Sequence, residues 1–165
     1  MAPDIFLKLA DIPGESLDAS HKDEIVVFSW DWGVSQNVVQ SGSGGGGGVA
    51  GSAAGRPMLR NLRFTHARDA ASPLLMLACV GGRHLKDAVL TVARGGAAPD
   101  SVVLRLSGVM ITSVDSAVNE EKGGLFETVT LAFEKITLDY TPQTATGAPG
   151  TAAHFGWDLT TGRVA

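Results

Sequence analysis

The chain contains one cysteine in 165 residues, a single tyrosine, and few charged side chains, 18% of the total. One thiol cannot form an internal disulfide, so the fold must be held by its core. That thiol, Cys79, lies in the apolar run from Leu74 to Val80, where a small buried structural cysteine is expected. The net charge is -4, which leaves no basic field to hold nucleic acid by counterion release, and no nucleic-acid partner is expected. No apolar run approaches the length of about 18 residues that crosses a bilayer as a helix. The start, Met1-Ala2-Pro3-Asp4-Ile5, lacks the positive region of a secretory signal. The expectation is therefore a chain made in the cytoplasm, with no membrane insertion; export in the folded state would leave no cleavable signal.

Catalytic and cofactor motifs are equally scarce. His21, His66, His84 and His154 are far apart in sequence and show no HExxH spacing, so no metal site is expected. Each is expected to be a surface or hydrogen-bonded loop residue. Gly42 to Gly47 formally fits GxGxxG, as any glycine run does, but no helix-forming segment or Lys-Ser/Thr follows to bind phosphate. A GxSxG elbow is absent. Catalysis has no positive support in the sequence, and no catalytic residue, cofactor or enzyme activity is expected.

What is present is a hydrophobic share of 44%, enough for one sizeable core, so residues 1–165 are expected to form one domain. Ile5, Leu7 and Leu9 alternate as a short strand before the turn chemistry of Pro13-Gly14. From Glu24 to Trp32, one face carries Ile25, Val27, Ser29 and Asp31, and the other Val26, Phe28, Trp30 and Trp32. The second face is the stronger core candidate. Ser41 to Gly55 is almost wholly Gly, Ser and Ala, a composition that cannot offset its ordering entropy, and is expected to be a long flexible loop.

Met58 to Thr65 reads as a strand. Ser72-Pro73 then opens a segment closed by Gly81-Gly82, with Ser as N-cap, Pro in the first turn and Gly past the end. This punctuation predicts a short helix. Leu85 to Arg94, Ser101 to Ser116, Leu125 to Tyr140 and His154 to Thr160 are further strands. Within Leu125 to Tyr140 the apolar set Val129, Leu131, Phe133 changes phase to Ile136, Leu138, Tyr140, which places a bulge or corner near Glu134-Lys135. About seven strands and one short α-helix, some strands long, argue for a mainly β fold: an antiparallel β-barrel whose closure removes exposed edges.

Several strings give this chain a further resemblance. Asp4 to Leu9, Asp11-Ile12-Pro13-Gly14-Glu15-Ser16, and Ser29-Trp30-Asp31-Trp32-Gly33-Val34-Ser35-Gln36 come first. Leu62-Arg63-Phe64-Thr65, Ser72-Pro73-Leu74-Leu75-Met76, Asp139-Tyr140-Thr141-Pro142-Gln143 and Phe155-Gly156-Trp157-Asp158 follow in order. Over Asp4 to about Leu159 the sequence resembles the haemolysin-coregulated protein (Hcp) family of type VI secretion systems. The resemblance implies a barrel with an appended helix that closes into a homo-hexamer. The rings would stack into the inner tube of a contractile injection machine and leave the cell with it. The implied partners are other copies of the chain, effectors held in the lumen, the spike protein and the sheath. It also places the position of Asp31 in the lumen, so Ser29 and Asp31 are candidate effector-binding residues. Family members often carry serine where Asp31 stands, and six aspartates would make an acidic ring favouring basic effectors. By the same resemblance, Gly44, Gly45, Gly46, Gly47 and Gly48 lie in a loop that reaches toward the next ring, although a flexible spacer has the same composition.

Two readings of other classes stay open on the residues alone: a monomeric barrel that binds a ligand through Trp30, Trp32 and Trp157, and a hydrolase with a dispersed site. A phage tail-tube subunit is close in kind to the first reading. The tryptophans are expected to be core residues.

Overall fold

The computed structural model describes residues 4–40, 52–94, 100–119 and 123–165. The strands, all in antiparallel pairs, are β1 (Asp4–Leu9), β2 (Ile25–Asp31), β3 (Val34–Gln40), β4 (Ser52–Leu59), β5 (Leu62–Ala67), β6 (His84–Ala93), β7 (Val102–Asn119), β8 (Gly124–Ala132), β9 (Lys135–Tyr140), β10 (Ala153–Asp158) and β11 (Arg163–Val164). The one helix among the described residues, α1, runs Ala71–Val80. Six strands close a barrel in the order β7-β6-β1-β2-β5-β8, because β8 pairs with both β5 and β7. Strands β9, β10 and β11 extend the sheet from β7, and β3 and β4 form a separate hairpin.

Closure depends on β7. Its first half, Val102 to Ser107, pairs with β9, and its second, from Met110 to Asn119, with β8. The chain from Leu125 to Tyr140 therefore follows one edge of β7 and turns a corner at Phe133-Glu134, where the apolar phase slips. Opposite that corner, Gly108 has φ +62°, a left-handed conformation costly for any residue with a Cβ.

The barrel interior holds Leu7, Leu9, Ile25, Val27, Leu62, Phe64, Leu104, Leu106, Val129, Leu131 and Ile136, all buried. Helix α1 closes over it with Ala71, Leu75 and Ala78. Full burial of one such leucine stabilises by roughly 1.5–3 kcal/mol.

The structure corrects several expectations. On β2 the buried residues are Ile25 and Val27, while Val26 and Phe28 are exposed. A bulge between Val27 and Ser29 then reverses the phase, so only Trp30 and Trp32 pack toward the core as expected. Met58 to Thr65 is two strands broken at Arg60-Asn61. Of the loop expected over Ser41 to Gly55, Ser52 to Gly55 belong to β4 instead and residues 41–51 lie outside the described residues; the pairing of β4 with Gln40 and Val39 is made by backbone and needs no apolar side chain. Gly55 is required there, because a Cβ would lie 2.5 Å from the Asn37 carbonyl oxygen. Strand β3 was not expected, because Ser35, Gln36 and Asn37 interrupt the apolar period and Val34 and Val38 are exposed. Helix α1 starts at Ala71, so Ser72 lies inside it and is not its N-cap. Cys79 is half-buried at the core's edge.

Candidate interaction face

Residues opposite one another on neighbouring strands share a face. On the outer side of β2, β5, β8 and β7, one row runs Asp31, Arg63, Thr130, Ser113 and the next Ser29, Thr65, Thr128, Asp115. The two sequence candidates, Ser29 and Asp31, are thus brought onto one surface, both exposed. Sequence reasoning did not find Arg63 or the hydroxyl residues of β5, β8 and β7, because only the register reveals them as neighbours. Ser113 Oγ donates to Thr130 Oγ1 at 3.1 Å, tying β7 to β8 on this surface.

Asp31 is flanked by positive charge. Arg63 stands opposite it on β5, and Arg60 Nη1 lies 4.0 Å from Asp31 Oδ1, with both side chains more than half exposed. The face therefore carries Asp31 and Asp115 against Arg60 and Arg63. Beyond the Ser29 row, the bulged Phe28 meets Phe126 edge to face with ring centroids 5.4 Å apart.

The inner rows of the same strands are apolar except one. Trp30, Phe64, Val129 and Val114 form the first, and Val27, His66, Glu127 and Ser116 the second. His66 and Glu127 are fully buried, so His66 is not the loop or surface residue expected. The other histidines are half-buried or exposed; His21 stacks on Phe6, centroids 4.5 Å apart. Among the described residues no three His, Cys, Asp or Glu side chains come together as a metal site, and no helix is long and apolar enough to cross a membrane.

Trp30, Trp32 and Trp157 do not form one platform. All three are half-buried against the core; Trp32 packs on Phe155, centroids 5.8 Å apart, and Trp157 lines an open groove of about 350 Å³ with Leu59 and Phe155. The candidate glycines Gly44, Gly45, Gly46, Gly47 and Gly48 lie outside the described residues.

The closed barrel displays polar residues along an exposed face, and the comparisons with known proteins give its class, a type VI secretion protein. A family model described as "Type VI secretion system effector, Hcp" matches residues 6–140. The chain is 39% identical over 162 residues to Protein hcp1 of Pseudomonas aeruginosa, covering 96% of each. Among solved structures, "Structure of a type six secretion system protein" superposes with a TM-score of 0.88 at 27% identity, covering 99% of this chain and 100% of that one. Hcp1 from Salmonella typhimurium does so with 0.75 at 29% identity, covering all of both chains. This chain belongs to the Hcp family, structural proteins secreted by type VI systems.

Proposed function

We propose that this protein is the inner-tube subunit of a type VI secretion system, that it closes into a hexameric ring, and that rings stack and carry effectors in their lumen. The observation that carries this reading is the match to Protein hcp1 along 96% of both chains. The outer face of β2, β5, β8 and β7 fits a lumen wall: its two central rows consist of serines, threonines and charged residues, which contact a passing protein without a fixed hydrophobic grip. Ser29 and Asp31 are then effector-facing. Because Arg60 and Arg63 accompany Asp31, the six-fold ring alternates in sign and is not the purely acidic ring that Asp31 alone would give. Ring closure requires two different complementary patches on each subunit. Spike, sheath and effectors are the other partners, and the subunit leaves the cell with its cargo.

The test is the native mass of the purified protein at micromolar concentration. Six times the chain mass of 17.0 kDa supports the ring. A stable monomer in the presence and absence of the cognate spike overturns it.

A further inference from the structure

The inner polar row contains a group that the tube reading leaves unused. His66 Nε2 lies 3.3 Å from Glu127 Oε2, and His66 Nδ1 lies 3.7 Å from Asp69 Oδ1. Neither ring nitrogen makes a hydrogen bond of proper geometry, and neither does Glu127 Oε2. The second Glu127 oxygen accepts from Ser116 Oγ at 2.9 Å and faces Arg68 Nε at 3.7 Å. From β2, uncharged Val27 stands opposite His66, and α1 has no charged residue. Glu15 acts on Asp69 through its charge. The charged and titratable groups around His66 are therefore Glu127 and Asp69, with Arg68 acting on Glu127 and Glu15 on Asp69.

The same Asp69 oxygen also caps the helix. Oδ1 accepts the Ala71 N–H at 3.0 Å, while the Asp69 N–H donates to Ser72 Oγ at 3.1 Å. Ala70, at the N-cap position, supplies no side-chain bond, so this reciprocal pair takes up backbone and side-chain groups that the first turn leaves open. One carboxylate oxygen stands between the start of α1 and a buried imidazole.

We propose that His66 and Asp69 form an acid-operated clasp on α1: a neutral imidazole leaves Asp69 Oδ1 to the helix, and a proton on Nδ1 draws it away and loosens the first turn from the barrel. An imidazolium in the observed geometry would have two buried, unbonded N–H groups, a costly arrangement that movement of Asp69 or Glu127 relieves. Burial accordingly holds His66 below its ordinary value of 6.5, with Asp69 and Glu127 pulling the other way. Burial also pushes Asp69 upward, opposed by His66. A base whose folded-state value is depressed gives its full stability above 6.5 and loses it as the pH falls below, because the unfolded chain takes the proton more readily. The raised Asp69 acts in the opposite sense, its stability present below 3.8 and lost as the pH rises, so the range from about pH 7.5 to 5.5 isolates His66 best.

Amide hydrogen exchange on the full-length protein at pH 7.5 and 5.5, corrected for intrinsic rates, reads the clasp directly. Protection in the first turn of α1 should fall on acidification while β7 keeps its own. The unfolding equilibrium constant, from urea titration, should rise by up to about tenfold per pH unit below 6.5. His66→Gln should abolish both responses. Asp69→Asn keeps an oxygen for the Ala71 N–H but no charge to be drawn off, so its α1 protection should no longer respond to pH even if His66→Gln does not fold. An unchanged pH response in the variants, or an α1 that becomes more protected in acid, overturns the clasp.

Discussion

Asp31 shows how far a single residue can be interpreted before its neighbours are known. Its alternation with Trp30 and Trp32 was legible in the sequence, and that part of β2 does place Asp31 outward. The two arginines beside it were not legible, since Arg60 lies beyond a strand boundary and Arg63 stands opposite it only through the register of β2 and β5. An exposed pair at 4.0 Å is worth about 0–1 kcal/mol and is screened by salt, so Asp31 contributes little to folding. Asp31→Ser should leave the unfolding free energy from urea titration within about 0.5 kcal/mol of the parent's. On the lumen reading it should also weaken retention of a bound effector in pull-downs at low salt, by exposing the unopposed charge of Arg60 and Arg63. Retention equal to the parent's at every salt concentration would remove Asp31 from the contact surface.

At the scale of elements, what could be read in advance was whatever leaves a periodic trace in side-chain polarity. The phase slip in Leu125 to Tyr140 marked the corner between β8 and β9, and Gly81-Gly82 marked the end of α1, where Gly82 adopts φ +57°. Strand β3 left no trace because its side chains from Val34 to Val38 are all exposed and it pairs only with β4. The burial of β2 was reversed for its first half because a one-residue bulge exchanges the faces while leaving the alternation intact on either side. Gly108 is the element-scale position with the sharpest consequence. An added Cβ would meet the Glu134 carboxylate at 2.5 Å, a side chain able to swing aside, whereas the left-handed backbone has no such relief. Gly108→Ala should therefore lower stability by about 1–2 kcal/mol, seen as a lower urea midpoint with an unchanged m-value. A midpoint equal to the parent's would mean that the β7 corner does not depend on this conformation.

For the whole molecule, the barrel closes without β3 and β4, and that makes the stacking proposal testable. The barrel is closed by β7 and β8 and filled by its own core, while β3 and β4 pair only with each other, from Val34 opposite Leu59 to Gln40 opposite Ser52. In sequence the glycine run falls between β3 and β4, which take no part in closing the barrel. Deleting Gly44 to Gly48 shortens only the connection between paired strands, and loop-closure entropy changes slowly with loop length. Unfolding in urea should be nearly unaltered, and a hexameric native mass should persist. If the run reaches the neighbouring ring, tubes seen by electron microscopy at high protein concentration should be lost while single rings remain. Tubes of normal length from the deleted protein would show that the glycines act only as a spacer; loss of the hexamer itself would place this segment in ring closure instead of ring stacking.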